Sequence, residues 1–246
     1  MTHEATLEKM VQMKLFGMAN AFNATMEKGI EHNFTSDEII AHLIDSEWEE
    51  RYNRRLTRLL KSANLRFNCS FEQINFNHKR NLDKNLFLRF SNCNWIKKSE
   101  NIIITGPTGA GKSFLACALG HQACLSGYRT QYFNAMKIFS KLKFAKVDGT
   151  YAKELKKNQK QNVQIIDDFG LHPMDEQCKL ILLELLEDRY GSGSTIITSQ
   201  LPSGKWYELI ASPTIADAIC DRVIHNSYKI ELDGDSMRKI YINRSG

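Results

Sequence analysis

The run Gly106-Pro-Thr-Gly-Ala-Gly-Lys-Ser113 constrains this chain more than any other eight residues. It satisfies G-x-x-x-x-G-K-[ST] at every position. It follows an apolar stretch, Asn101-Ile-Ile-Ile-Thr105, and opens a helical pattern that reaches about Ser126. Strand, glycine turn and helix in that order build a phosphate cradle. Glycines let backbone N–H groups wrap phosphate oxygens, and the helix beginning at Lys112 aims its positive end at them. Gly106, Pro107, Thr108, Gly109, Ala110, Gly111 and Phe114 then belong to the cradle. Lys112 reaches the β- and γ-phosphates, and the Ser113 hydroxyl ligates Mg²⁺.

A second stretch, Val163-Gln-Ile-Ile-Asp167-Asp168, ends an apolar strand on two acids. Asp167 is placed to hold the metal shell. Asp168 is placed to orient or deprotonate the attacking water. An acid pair at a strand end can also cap the next helix, but with a phosphate loop upstream the two stretches together point to nucleoside triphosphate binding and hydrolysis.

The surrounding pattern alternates strands with helices. Residues 129–133, 163–167 and 194–198 read as further strands, separated by helical patterns over 135–146, 150–160 and 175–190. Such alternation predicts an α/β fold, a parallel sheet flanked by helices. Segments 228–232 and 239–243 read as a closing hairpin. The first third differs. Leu7, Met10, Val11, Leu15 and Met18 keep a helical rhythm running out near Gly29, and Thr35-Ser-Asp-Glu38 is a capping box opening a long second helix to about Ala63. The expected organisation is a small N-terminal helical domain over 1–66, binding DNA or a partner, and an ATPase domain over 67–246, with 67–100 as its boundary segment.

Other classes drop out on composition. The longest apolar run is six residues, Phe114 to Leu119, too short to span a bilayer. The first residues, Met-Thr-His-Glu-Ala-Thr-Leu-Glu, lack a secretory apolar core, so a cytoplasmic location is expected. Cysteines at 69, 93, 117, 124, 178 and 220 form no C-x-x-C pair and read as reduced core thiols. The histidines form no metal cluster.

Against these motifs the chain resembles the AAA+ ATPases of the DnaC/IstB branch, and within it the IstB-like transposition helpers. The resemblance rests on Glu47-Trp-Glu-Glu-Arg-Tyr-Asn-Arg-Arg55, Gly106 to Ser113, Ile165-Ile-Asp-Asp-Phe-Gly170, Thr195-Ile-Ile-Thr-Ser-Gln200 and Pro213-Thr-Ile-Ala-Asp-Ala-Ile-Cys-Asp-Arg-Val223. It implies a P-loop AAA+ core using ATP and Mg²⁺, with catalytic roles for Lys112, Asp167 and Asp168. It places a polar sensor at Ser199 or Gln200, where AAA+ relatives usually carry Asn. It makes Arg222 an arginine finger entering a neighbouring subunit, and Arg238 a second sensor toward the nucleotide. The implied function is an ATP-dependent, DNA-binding helper of an insertion-sequence transposase, acting as a homo-oligomer on duplex DNA beside an IstA-like transposase. The alternative is a DnaC-like replicative helicase loader. A nucleotide or small-molecule kinase fits less well, since Arg222 would then have to act in cis.

Charge supplies candidates for the DNA contacts. The chain carries 33 Lys plus Arg against 28 Asp plus Glu, a net of only +5. Its distribution is uneven. Arg51, Arg54, Arg55, Arg58, Lys61 and Arg66 fall within sixteen residues that contain no acid, the first four at helical spacing on one face. Lys137, Lys141, Lys143, Lys146, Lys153, Lys156, Lys157 and Lys160 are opposed locally only by Asp148 and Glu154. Lysine dominates the second cluster, which favours loose phosphate contacts over base reading and so little sequence specificity.

Overall fold

The computed structural model describes residues 2–27, 35–234 and 236–237. By internal contacts the chain divides into Met1–Arg58 and Leu59–Gly246. Helix α3 (Ser36–Ala63) begins in the first unit and ends in the second.

The first unit starts with α1 (His3–Gln12) and α2 (Phe16–Glu27), followed by α3. The expected single helix running toward Gly29 is two. Lys14 adopts a left-handed backbone, φ 60°, and breaks the rhythm before Phe16. The reason lies in the packing of α2 on α3. A side chain at Gly17 would collide with the Ser46 carbonyl, and the buried Glu47 carboxylate caps α2 by accepting from the Met18 N–H at 3.2 Å. Burial opposes the Glu47 charge, yet Arg51 and the Met18 and Gly17 N–H groups hold its pKa below the usual value. The capping box forms as read: Thr35 N–H donates to Glu38 Oε2 at 2.7 Å, and Glu38 N–H returns to Thr35 Oγ1 at 3.4 Å. From it α3 runs 28 residues unbroken.

In the second unit the chain passes α4 (Lys84–Arg89) and α5 (Asn94–Lys97), then enters β1 (Asn101–Thr105) and α6 (Lys112–Leu125). There follow β2 (Thr130–Asn134), α7 (Ala135–Val147), α8 (Tyr151–Gln159), β3 (Val163–Phe169) and α9 (Glu176–Glu187). Last come β4 (Ser194–Ser199), α10 (Trp206–Ile210), α11 (Pro213–Ile224) and β5 (Ser227–Glu231). The strands form one sheet in the order β2-β3-β4-β1-β5, parallel throughout.

Isoleucine pairs in the central strands explain the layering. Side chains alternate along a strand, so neighbours face opposite layers. Ile102, Ile104, Ile165 and Ile196 pack with Leu115 and Leu119 of α6. Ile103, Ile166 and Ile197 pack with Phe139 and Leu142 of α7, Leu182 of α9 and Ile219 of α11. The segment before β1, read as a boundary, contributes Ile74, Phe87, Phe90 and Trp95 to the α6 layer.

Half of the expected closing hairpin is a strand: β5 lies at the sheet edge, parallel to β1, because α11 carries the chain back across the sheet before it. The other half, 239–243, lies outside the described residues. All six cysteines are free, and burial raises the thiols of Cys117 and Cys69 to about 11 and about 12. Among the described residues no helix is long and apolar enough to cross a membrane.

One buried charge ties the strand starts together. Arg189, 2% exposed, donates to the carbonyls of Asn158, Gln161, Asn162 and Ser194 and to Thr195 Oγ1. Burial lowers its pKa to about 10, so it stays charged at neutral pH. Arg189→Ala would strand these acceptors at a cost of about 3 kcal/mol. A thermal melt should fall by roughly 6–12 °C, the shift such a loss gives a domain of this size.

Candidate nucleotide site

The site lies beyond the carboxyl ends of the parallel strands, where α/β sheets bind ligands. After β1 the backbone turns through Gly106, Gly109 and Gly111, all at positive φ. Gly111 is the N-cap of α6, and a Cβ there would come within 2.6 Å of the Arg80 guanidinium. The first turn of α6 carries no acid and no side-chain cap. The helix N-terminus therefore meets the loop without a competing acid, the arrangement that binds phosphate. The Lys112 ammonium, buried at 6% exposure, donates to the carbonyls of Gly106 at 2.7 Å and Pro107 at 2.9 Å. A cavity of about 400 Å³ opens over the loop, lined in part by Thr108, Gly109, Lys112, Ser113, Phe114 and Gln200. Its size and its cradle fit a nucleotide.

Of the two acids, Asp168 lines this cavity and Asp167 is fully buried. In a regular strand Asp167 and Asp168 would face opposite layers. Between Ile166 and Phe169, however, β3 carries one residue more than β4 does between Ile197 and Ser199. This is a bulge, and Asp168 sits in it with a left-handed backbone, φ 60°. Its carboxylate is thereby turned to the cavity.

Asp167 is wholly buried and fully engaged. Its Oδ1 accepts from Ser113 Oγ at 2.7 Å and from Thr198 Oγ1 at 2.5 Å. Its Oδ2 accepts from the Tyr132 hydroxyl at 2.6 Å and Arg66 Nη1 at 3.2 Å. Burial, reinforced by the bond to Asp167, raises the Tyr132 pKa, so the phenol remains a donor. Asp168 Oδ2 accepts from Arg66 Nη1 at 3.3 Å and Asn134 Nδ2 at 3.2 Å, and the Asp168 N–H donates to Thr198 Oγ1 at 3.1 Å.

Ser113 and Asp167, read separately as metal ligands, thus meet directly. Both offer hard oxygens, the donor type that suits Mg²⁺. Among the described residues no group of three His, Cys, Asp or Glu could hold a metal unaided.

Sequence reasoning missed Arg66, Tyr132, Asn134 and Thr198 around the acids, and Arg80, which donates to the Ala110 carbonyl at 3.0 Å and lines the cavity. Strand alternation held a usable signal for three of these: Tyr132 and Asn134 are two apart at a strand end, and Thr198 is two before Gln200. Of the two sensor candidates, Gln200 lines the cavity. Ser199 is turned inward: its Oγ donates to the Phe169 carbonyl and accepts from the Leu201 N–H, so it does not face the phosphate position as expected. Arg222 is not among the cavity residues. It lies near the opposite strand ends, its carbonyl accepting from Asn101 Nδ2 and its guanidinium paired with Glu187. Arg238 lies outside the described residues.

The family description IstB-like ATP binding protein matches residues 8–245 of the chain. The chain belongs to this family. A protein of Sinorhizobium fredii (strain NBRC 101917 / NGR234) named as an insertion sequence ATP-binding protein, y4pL, is 43% identical over 95% of this chain and 96% of its own. A counterpart from insertion sequence IS21 of Pseudomonas aeruginosa is 27% identical over 92% of this chain and 86% of its own. Solved structures share the fold. The DnaC helicase loader superposes at TM-score 0.53 and 20% identity, over 63% of this chain and 93% of its own. AMPPCP-bound DnaA from Aquifex aeolicus gives 0.58 and 18%, over 74% of this chain and 56% of its own. This chain is therefore an IstB-like ATP-binding protein with the fold of these two structures.

Several basic candidates of the IstB-like chain are held in ion pairs. On α3, Arg51 pairs with Glu47 at 2.6 Å and Arg54 with Glu50 at 3.3 Å, each one turn away. Arg55, Arg58 and Lys61 are exposed, Arg58 Nε bonding the Arg54 carbonyl at 3.4 Å. Acids nearby in sequence are fewer than the acids that face the lysines in the fold. The packing of α7 against α9 brings Asp175 to Lys143 at 2.5 Å and Glu184 to Lys146 at 4.0 Å, while Lys141 pairs with Glu154 at 2.5 Å. Lys137, Lys153, Lys156, Lys157 and Lys160 are exposed.

Proposed function

We propose that the protein is an ATP- and Mg²⁺-dependent, duplex-DNA-binding helper of an insertion-sequence transposase, assembling as a homo-oligomer. The observation that carries this reading is 43% identity, over 95% of the chain, to a relative named for an insertion sequence. It is supported by a site whose chemistry is phosphoryl transfer. Lys112 and the α6 N-terminus would hold phosphate, Ser113 and Asp167 the metal, and Asp168 the attacking water; Gln200 would sense the γ-phosphate. The metal, when bound, neutralises charge on the phosphates. Arg222, distant from its own chain's cavity, is suited to complete a neighbour's site after releasing Glu187, which makes turnover depend on assembly.

On this reading duplex DNA lies along exposed lysines. Lys153, Lys156 and Lys157 fall at i, i+3 and i+4 of α8 and share a face. Replacing all three with Ala should weaken duplex binding equally across sequences. It should also flatten the plot of log affinity against log salt by about 0.9 for each phosphate that is no longer neutralised. Fluorescence anisotropy with labelled duplexes, with and without ATP, measures this. An unchanged slope would remove α8 from the interface. Tight binding to a replicative helicase without duplex affinity would overturn the helper reading.

A further inference from the structure

The acid pair is held by a cation to which phosphoryl transfer, as derived above, gives no role. Arg66 Nη1 sits 3.2 Å from Asp167 Oδ2 and 3.3 Å from Asp168 Oδ2. The Asp167 side chain is 0% exposed, the Arg66 side chain 41%. Arg66 also lines two cavities, the one over the phosphate loop and a second of about 500 Å³ bounded by Asn64, Tyr132, Asn134 and Lys137. Asp168 lines both as well. The Arg66–Asp168 pair is thus a partition between them.

We infer that Arg66 is a built-in counter-cation for the acid pair, and that it must leave Asp167 for Mg²⁺-nucleotide to load. This rests on Ser113 and Asp167 being the metal-holding residues. Oxygen sites and charge decide which partner yields. A carboxylate offers about four acceptor sites, and Asp167 already accepts from Ser113, Thr198, Tyr132 and Arg66. A cation taken up between Ser113 and Asp167 replaces the Ser113 bond on Oδ1, and its charge then acts on the three remaining donors. Thr198 is buried, Tyr132 nearly so, and both are neutral and fixed in strands. Arg66 is the exposed partner and the one that a dication repels. The second cavity gives its guanidinium somewhere to go without repacking. Its departure also relieves Asp168 of one of its two side-chain donors, leaving Asn134 at 3.2 Å. Loading of the metal site and release of the water-activating acid become one event.

A counter-cation of this kind raises the Mg²⁺ that nucleotide binding requires, which can be measured without turnover. A fluorescent ATP analogue at fixed concentration is titrated with Mg²⁺ on the full chain. Arg66→Ala should lower the half-saturating Mg²⁺ by about fivefold, the factor for losing a competing ion pair worth about 1 kcal/mol. Arg66→Lys keeps the charge and should stay near the parent. In EDTA, Arg66→Ala should melt lower than the parent, and Mg²⁺ should recover more of its Tm than it adds to the parent. An unchanged half-saturating Mg²⁺ in Arg66→Ala overturns the inference. So does weaker binding of the ATP analogue with unchanged metal dependence, which would make Arg66 a phosphate ligand. Ser113→Ala separates the two levels. If it leaves the metal dependence untouched, the metal site is misassigned and both readings fall; if it shifts the dependence and Arg66→Ala does not, only the counter-cation falls.

Discussion

Lys112→Ala should abolish nucleotide binding at concentrations that saturate the parent, while leaving the fold intact. The ammonium is folded back on the loop, donating to the Gly106 and Pro107 carbonyls. Those acceptors hold it in a buried position beside the α6 N-terminus, already desolvated and already aimed. A phosphate entering the cradle exchanges neutral carbonyl acceptors for charged oxygens, and charge-assisted bonds are worth about 1.5–3 kcal/mol each. Losing two of them weakens affinity by roughly 10²–10⁴-fold. The fold should tolerate the change, since Lys112 is the first residue of α6 and alanine is the best helix former. The loop is shaped by Gly106, Gly109 and Gly111, which the variant keeps. Titration with a labelled nucleotide, paired with a thermal melt, gives both halves of the result. Binding within tenfold of the parent, or a collapsed melt, would count against it.

What the sequence showed and what it hid follow from how far each feature reaches along the chain. The phosphate loop is contiguous, and its residue types are dictated by backbone N–H groups and φ angles, so it could be read directly. The β1, β3 and β4 strands were legible because Ile102–Ile104, Ile165–Ile166 and Ile196–Ile197 serve both layers of a buried parallel sheet. The environment of Asp167 could not be read in the same way. Its partners come from residues 66, 113, 132 and 198, and only the strand order β2-β3-β4 brings Tyr132 and Thr198 to either side of it. The bulge at Asp168 was equally hidden, since nothing in Ile-Ile-Asp-Asp-Phe marks an extra residue relative to β4. Arg66 looked like one more basic residue in a basic stretch. For two α7 lysines, Lys143 and Lys146, the facing acids were hidden for the same reason, since Asp175 and Glu184 come from far along the chain.

Asp168→Asn should keep ATP binding within a few-fold of the parent and lose turnover by about 10²–10⁴-fold, the range associated with a positioned general base. The left-handed backbone at this position makes the choice of replacement matter. Asn is among the few non-glycine residues that adopt such φ values readily, so the bulge should persist. Asn also retains an oxygen that can accept from Asn134, which sits 3.2 Å from the present carboxylate. What it removes is the charge, and with it the capacity to take a proton from water. Alanine would confound this by emptying the position and leaving Asn134 unpaired. Glutamate separates charge from placement, because it keeps a carboxylate but carries it one methylene further from a backbone already turned by the bulge. If Asp168 acts as the base, Asp168→Glu should recover part of the lost kcat with little change in KM. If it serves only to hold Arg66 and Asn134, Asp168→Asn should turn over near the parent rate, and the loss should appear instead in the melt.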